Sequence, residues 1–307
     1  LYPQASLTLY NTNYQRHQQI QRLELEKSTS VFAACYQSEV KHDLVIIQFP
    51  KSKTELNFTL AMLATYTTEE CLVLIVGENK SGIKSIAKLT ANQLNECAKI
   101  DAARHCVLFA ANLIPNQEEF QLAEWLKPYS FSINETQINV VALPGVFSHN
   151  GLDMGTKVLL ENLPKKISGK VLDFGCGAGV IASYLGKTIP SIQLHLLDVC
   201  ALALYSAQET LKINGLTGTV FPSNSLSDLE GKFDQVISNP PFHLGLKTNY
   251  QATETFLAKI KPHLTAKGKV TVVANSFLRY QPIMEEAIGH TQVIVKQKGF
   301  SLYHCSI

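Results

Sequence analysis

Short apolar runs alternating with amphipathic stretches dominate the second half of this chain. Lys170-Val171-Leu172-Asp173-Phe174 reads as a buried strand, and residues 180–185 as the start of a helix. Gln193-Leu194-His195-Leu196-Leu197, ending at Asp198, is a second strand, and residues 201–214 form an amphipathic helix stopped at Gly215. Residues 218–221 are a third strand and 233–238 a fourth. A helix over 253–264, a fifth strand over 269–274, a short helix over 283–288 and a closing hairpin from 293–295 and 301–304 complete the pattern. Such alternation predicts a largely parallel sheet with helices on both faces.

Part of this rhythm occurs earlier. Residues 43–49 read as a strand, 55–65 as a helix, 72–79 as a strand and 83–89 as a helix, repeating the order of the fourth and fifth strands with their helices. In that alignment Gln48-Phe49-Pro50-Lys51 takes the place of Asn239-Pro240-Pro241-Phe242. No G-x-G-x-G precedes Asp43, and residues 5–40 are too few for a complete copy of the first three strands. The pattern favours an internal duplication with a degenerate first copy over two unrelated pieces that share a rhythm. Residues 131–140 alternate as a strand, opening a lead-in hairpin with 141–146. The expectation is two tandem Rossmann-like α/β domains, 1–130 and 131–307.

Composition narrows the class. With 307 residues, 46% hydrophobic and 17% charged, two cores can be buried and extended disorder is not expected. No apolar run reaches the roughly 20 residues a membrane-spanning helix needs. No basic-then-apolar leader follows Leu1, and the missing initiator Met points to a removed upstream piece. Seven cysteines, an odd number without a C-x-x-C pair, predict reduced thiols in a cytoplasmic protein and no zinc site or other metal. Net charge is +2. Residues 1–140 carry 12 Lys/Arg against 14 Asp/Glu, and the rest 15 against 11, so the mild basic excess lies in the second half.

The candidate chemistry sits where strands end. Asn239-Pro240-Pro241-Phe242 follows the fourth strand. Two prolines cannot continue a ladder, so they stiffen the exit from the sheet. The Asn239 amide and the Pro240 carbonyl then become paired acceptors beside an aromatic ring, which suits a planar group bearing an exocyclic NH₂. Gly175-Cys176-Gly177-Ala178-Gly179 follows the first strand, where glycines let backbone approach a ligand. The spacing is not the G-x-G-x-x-G of dinucleotide enzymes. Asp198 ends the second strand, where an acid can accept both hydroxyls of a ribose. Asn224 follows the third strand, either beside a bound base or as a plain turn asparagine. Cys176 is not expected to be a nucleophile, because no partner histidine is indicated.

The glycine loop with Asp173 two residues ahead resembles motif I of class I S-adenosylmethionine (SAM) methyltransferases. Together with N-P-P-F-H at 239–243, V-A-N-S-F-L at 273–278 and the segments Pro144-Gly145-Val146-Phe147-Ser148 and Leu152-Asp153-Met154-Gly155-Thr156, the chain resembles the RsmC/RlmG family of bacterial rRNA guanine-N2 methyltransferases over its whole length. The resemblance implies SAM as cofactor, held by Asp173, Gly175, Cys176, Gly177, Gly179, Asp198 and Asn224, with Asp153, Gly155 and Thr156 closing the pocket. It implies catalysis by Asn239, Pro240, Pro241 and Phe242 on a guanine N2 of 16S rRNA in the small subunit, with 23S rRNA as the alternative. It also implies a monomer with a degenerate first domain that recognises RNA or supports the second. His243 is either a proton relay or a structural neighbour.

Lys51, Lys53, Lys80, Lys84 and Lys88 fall in or just after the two loops of the first domain and are candidates for an rRNA-binding rim. Two other readings stay open. The N-P-P-(F/Y) loop equally serves adenine N6 or a glutamine amide. A non-catalytic RNA-binding or assembly factor would keep the same fold.

Overall fold

A computed structural model describes residues 5–114, 119–240 and 247–307, with residues 247–252 described by backbone alone. The chain forms two compact units. One joins residues 5–34 to Lys127–Ile307, and the other is Cys35–Leu126. The chain crosses between them twice, where the sequence reading places one boundary near residue 130.

Strand β1 (Leu7–Asn11), helix α1 (Tyr14–Gln21) and strand β2 (Ser28–Phe32) form a small parallel βαβ turn. Asn13 caps α1 by accepting from the Arg16 backbone N–H at 3.0 Å. The turn is anchored to the larger unit through its backbone. Tyr14 N donates to the Val199 carbonyl and Ala201 N to the Thr12 carbonyl, both at 2.8 Å.

In the smaller unit β3 (His42–Gln48), α2 (Lys53–Ala64), β4 (Thr67–Glu78), α3 (Ile86–Leu89), β5 (Leu94–Ala103) and β6 (Cys106–Leu113) follow in order. The sheet order is β3-β4-β6-β5, with β3 and β4 parallel and the other pairs antiparallel. Ser52 caps α2, whose Leu56, Phe58, Leu60 and Met62 are buried. Residues 83–89, expected as one helix, divide into a 3₁₀ turn and the four-residue α3.

The larger unit continues with a hairpin, β7 (Lys127–Ile133) and β8 (Thr136–Ala142). Here the expected strand over 131–140 is interrupted. Asn134 and Glu135 adopt left-handed φ of 46° and 64°, a two-residue turn that matches the twist of the flanking strands. Asparagine tolerates that region better than most residues, and this was the overlooked signal. Next come α4 (Met154–Glu161), β9 (Lys170–Phe174), α5 (Val180–Thr188), β10 (Gln193–Asp198), α6 (Ala201–Ile213), β11 (Thr219–Pro222), β12 (Phe233–Ser238), α7 (Lys247–Lys259), β13 (Leu264–Asn275), α8 (Tyr280–Ala287), β14 (Thr291–Gln297) and β15 (Phe300–Ser306). Helix α7 ends earlier than expected, because a 3₁₀ turn over Lys261–His263 precedes Leu264, which already belongs to β13.

The seven strands are ordered β11-β10-β9-β12-β13-β15-β14, parallel except for the closing β13–β15 and β15–β14 pairs. Beneath β12 and β13, Phe174 stacks on Phe256 at 3.8 Å within a core that includes Phe233, Val270, Tyr280 and Met284. Each such side chain contributes on the order of 1.5–3 kcal/mol by burial. Strand order reverses between β9 and β12, so the crevice beyond their carboxyl ends is where an open α/β sheet binds ligands. The smaller unit's β3-β4-β6-β5 repeats the order and directions of β12-β13-β15-β14, which is the half of the sheet on the far side of that crevice from the glycine loop.

Candidate active site

The crevice lies between the loops after β9 and β12. Phe147, Ser148, Thr156, Gly175, Cys176, Gly177, Ala178, Val180, Ile181 and Asn239 line a cleft of about 310 Å³ there, open to solvent. Ser238, the last residue of β12, is fully buried and donates from its hydroxyl to the Phe174 carbonyl at 2.7 Å, tying the ends of the two strands together.

One residue later the chain presents Asn239. Its Nδ2 donates to Asp153 Oδ2 at 3.0 Å and to Thr156 Oγ1 at 2.8 Å. A carboxylate only accepts, so this pairing fixes which end of the amide is NH₂ and leaves Oδ1 without a hydrogen-bond donor among the described residues. Asp153 is the N-cap of α4 and also accepts from the Thr156 backbone N–H at 3.0 Å. Asp153 and Thr156 are therefore joined to Asn239, where the sequence reading assigned them to the cofactor. Gly155 has a packing reason of its own. A Cβ there would meet the Phe300 ring at 2.9 Å and Asp153 Oδ2 at 3.1 Å. Pro240 is buried beside Asn239, whereas Pro241, Phe242 and His243 lie outside the described residues.

The glycine loop uses left-handed backbone at Gly175, Gly177 and Gly179. A Cβ on Gly179 would sit 3.1 Å from the Cα and Cβ of Ala207 on α6, so that glycine permits close helix packing. Gly175 has nothing within 4 Å of its Cβ direction, and its backbone borders the cleft. The Gly175 and Cys176 N–H groups both donate to the Leu197 carbonyl at 2.9 Å.

Two carboxylates flank the loop. Asp173 is 1% exposed, accepts from the Ala182 N–H at 3.1 Å through Oδ2, and has a buried Oδ1 without a partner among the described residues. Burial raises its pKa to about 7, opposed by the Ala182 hydrogen bond and assisted by the charge of Asp198. Asp198 accepts from Gly177 N and Cys200 N, each at 2.9 Å. Burial raises its pKa as well, and these backbone donors oppose the rise. Burial, with both acids nearby, also holds the Cys176 thiol well above its ordinary pKa. A protonated thiol is a poor nucleophile, in keeping with the steric reading of that residue.

Asn224 lies in the turn after β11, where its carbonyl accepts from Ser227 N at 3.2 Å. Several residues that the sequence reading did not name as site members stand at or near the cleft, Ala178, Val180 and Ile181 among them. Phe147 and Ser148 line the cleft, Ser148 with φ of 61°. Tyr129 on β7 has a buried hydroxyl with no partner among the described residues, and burial followed by the charge of Asp153 pushes its pKa to about 12. Nothing in the local sequence singles out Tyr129, since its proximity to Asp153 arises only in the fold. The five lysines of the smaller unit, Lys51, Lys53, Lys80, Lys84 and Lys88, are all exposed, and the Lys53 side chain passes within 3.8 Å of a Cβ position at Gly82 in the neighbouring loop. Among the described residues there is no group of three or more His, Cys, Asp or Glu able to hold a metal, and no helix is long and apolar enough to cross a membrane.

The Methyltransferase small domain family matches residues 137–304, and its N-terminal counterpart matches residues 2–129. A ribosomal RNA small subunit methyltransferase C of Colwellia psychrerythraea is 52% identical over 97% of this chain and 85% of its own length. The chain belongs to the ribosomal RNA small subunit methyltransferase C family. A member from Vibrio vulnificus is 41% identical over 98% of this chain and 87% of its own. Among solved structures, a T. thermophilus 16S rRNA N2 G1207 methyltransferase in complex with AdoMet and guanosine superposes with a TM-score of 0.85 over 100% of this chain and 89% of its own. At 20% identity that likeness shows the shared two-domain fold. The family places both halves of the chain among methyltransferase domains, in line with the duplication expected from the sequence.

Proposed function

We propose that this protein transfers a methyl group from S-adenosylmethionine to the exocyclic N2 of a guanine in 16S rRNA, the equivalent of guanine 1207 named for the T. thermophilus protein. The observation that carries the reading is the Asn239 amide at the cleft, whose NH₂ is engaged by Asp153 and Thr156 so that its oxygen is left to act as an acceptor. Support comes from the curated relatives, which are named as small-subunit rRNA methyltransferases.

The residues present fit the cofactor. The unpartnered, buried Asp173 Oδ1 is an acceptor suited to an ammonium group, and Gly175 leaves room for close approach. Asp198, already oriented by Gly177 and Cys200, retains lone pairs for ribose hydroxyls. When bound, SAM supplies an electrophilic methyl on a sulfonium.

The remaining work belongs to the chain. A guanine N2 lone pair is delocalised into the ring and becomes available as the nitrogen pyramidalises. Asn239 Oδ1 and the Pro240 carbonyl accept the two N2 hydrogens and stabilise the positive charge that develops on that nitrogen. Phe242 stacks on the base and sets its angle of approach. The N2 proton becomes acidic after attack, so no strong base is needed beforehand. In this scheme the smaller unit, with its exposed lysines, contacts rRNA phosphates.

The test is tritiated methyl transfer to 16S rRNA, 30S subunits, 23S rRNA and 50S subunits in parallel, followed by nucleoside analysis. Label in N2-methylguanosine from a small-subunit substrate is expected. Label in N6-methyladenosine, only in large-subunit RNA, or only in protein would overturn the reading.

A further inference from the structure

The loop after β13 presents an exposed aromatic ring on a rigid base. Ser276 N donates to the Gly299 carbonyl at 2.8 Å, and the Ser276 and Ser301 hydroxyls meet at 3.0 Å. The Leu278 carbonyl accepts from the Tyr303 hydroxyl at 2.8 Å while the Leu278 side chain packs on the core. Between these two pinned residues Phe277 is 60% exposed.

Its position relates it to the crevice. Ser238 pairs with Val272, so Asn239 leaves the sheet beside Val273, and Phe277 follows four residues further along the same edge. Phe300, whose ring lies against Gly155 beside the Asn239 partner Asp153, pairs with Asn275 at the base of the loop. Phe277 therefore lies in the loop at the sheet edge from which Asn239 also leaves.

This edge also carries cations. Arg279, Lys296 and Lys298 are exposed around it, Lys298 lifted by the tight Lys298-Gly299 turn with φ of 52° and 81°. Residues 276–284 and 287–299 carry three Lys/Arg, Arg279, Lys296 and Lys298, and the two acids between them are Glu285 and Glu286 of α8. An exposed ring with exposed cations on its own loop and on the adjoining hairpin turn suits an unstacked nucleotide. The base packs on the ring and its phosphates meet the cations.

We propose that Phe277, with Arg279 and Lys298, forms a stacking lip for an rRNA nucleotide flanking the target guanine. The lip holds the strand open while the target base occupies the crevice. This rests on the rRNA methyltransferase reading above and adds to it the surface that grips the substrate.

The test is single-turnover methyl transfer to unmethylated 30S subunits, with binding of protein-free 16S rRNA and SAM affinity measured in parallel. Phe277→Ala is expected to lower kcat/KM and rRNA affinity about 5- to 150-fold, with SAM affinity unchanged and Phe277→Trp restoring function. Arg279→Glu with Lys298→Glu is expected to weaken rRNA binding and flatten its salt dependence by about one per lost contact. Lys261→Glu with Lys267→Glu makes the same charge change at the opposite end of β13 and is expected to act as wild type. Phe277→Ala at the wild-type rate overturns the lip whatever the charge variants do. A loss confined to subunits, with protein-free rRNA bound normally, assigns the surface to a ribosomal protein and also overturns it. Wild-type protein inactive on every RNA would overturn the parent reading and the lip with it.

Discussion

Asn239 Nδ2 donates to Asp153 Oδ2 at 3.0 Å, across 86 residues of sequence. The contact joins the exit of β12 to the cap of α4, so a helix start sets the orientation of the Asn239 amide. Asn239→Ala is expected to lower the methyl-transfer rate by about 10²–10³, as loss of one preorganised charge-stabilising group does elsewhere, with SAM affinity unchanged. Asp153→Ala should share the rate defect and also lose about 1 kcal/mol of stability through the missing cap. Turnover assays and calorimetric SAM titration check both. An Asp153→Ala enzyme with a normal rate would remove the orienting role.

Asp173 carries a pH signature. Its pKa rises from an ordinary 3.8 to about 7 because burial penalises the charged form. The folded state thus binds the proton more tightly than the unfolded one. Full stability from this group is present below about pH 4 and is lost as pH rises through about 7, a change of order 4 kcal/mol. His149, His195 and His304, whose pKa values burial lowers, act in the opposite sense, because stability is lost as pH falls. Comparing Tm from pH 5 to 8 for wild type and Asp173→Asn isolates the carboxylate. The variant should be more stable at pH 8 and bind SAM poorly. Parallel curves would show that Asp173 does not titrate in this range.

Two glycines of one loop should fail in different ways. Gly179→Ala forces a Cβ to 3.1 Å from Ala207 at a φ of 75°, so packing and backbone strain add. A loss of several kcal/mol is expected, by analogy with overpacked cores at about 1–3 kcal/mol plus about 1–2 for the conformation. Gly175→Ala bears only the conformational cost, since its Cβ points into open space. Its larger effect should be on SAM affinity. Thermal melts and SAM titrations separate the two.

Much of the larger unit was legible from its residues. Lys170–Phe174 and Phe233–Ser238 are strands at the bounds that the sequence marks, since nearly every position in them is buried and their apolar residues are of the type that central strands favour. The half-sheet repeat in the smaller unit was readable for the same reason. The β1–α1–β2 turn was not. Its strands Leu7–Asn11 and Ser28–Phe32 mix polar and apolar residues without burying any of them fully, and their place is set by backbone bonds to Val199 and Ala201. At the candidate site, Asn239, Asp173 and Asp198 were singled out through spacing, and the structure puts them at or next to the ends of β12, β9 and β10. That Asp153 and Thr156 hold Asn239 depends on a pairing 83–86 residues apart, which no local pattern encodes.

The five exposed lysines of the smaller unit offer a separate test of its role. Lys51 and Lys53 follow β3, and Lys80, Lys84 and Lys88 follow β4. Reversing Lys53 and Lys84 to Glu is expected to weaken rRNA binding and reduce its salt dependence, leaving SAM affinity and folding intact. Filter binding of 16S rRNA across a salt series gives the slope. An unchanged slope would assign the unit to structural support alone.

Tyr14 ties together the loops that follow β10 and β11. Its backbone N–H donates to Val199, next to Asp198, and its hydroxyl reaches Asp228 Oδ1 at 3.3 Å in the loop after β11. The Gln18 amide meets the same carboxylate oxygen at 3.3 Å, and the Tyr14 ring packs edge-on against Phe32 at 5.1 Å. Because Asp198 is itself oriented by the Cys200 N–H, loosening Val199–Cys200 loosens the acid. Tyr14→Phe removes only the hydroxyl and should raise the SAM dissociation constant several-fold, in keeping with about 0.5–1.5 kcal/mol for one hydrogen bond. Tyr14→Ala also removes the ring and should raise it further while kcat at saturating SAM stays near wild type. If kcat falls and KM for SAM does not, the βαβ turn acts on something other than the cofactor loops.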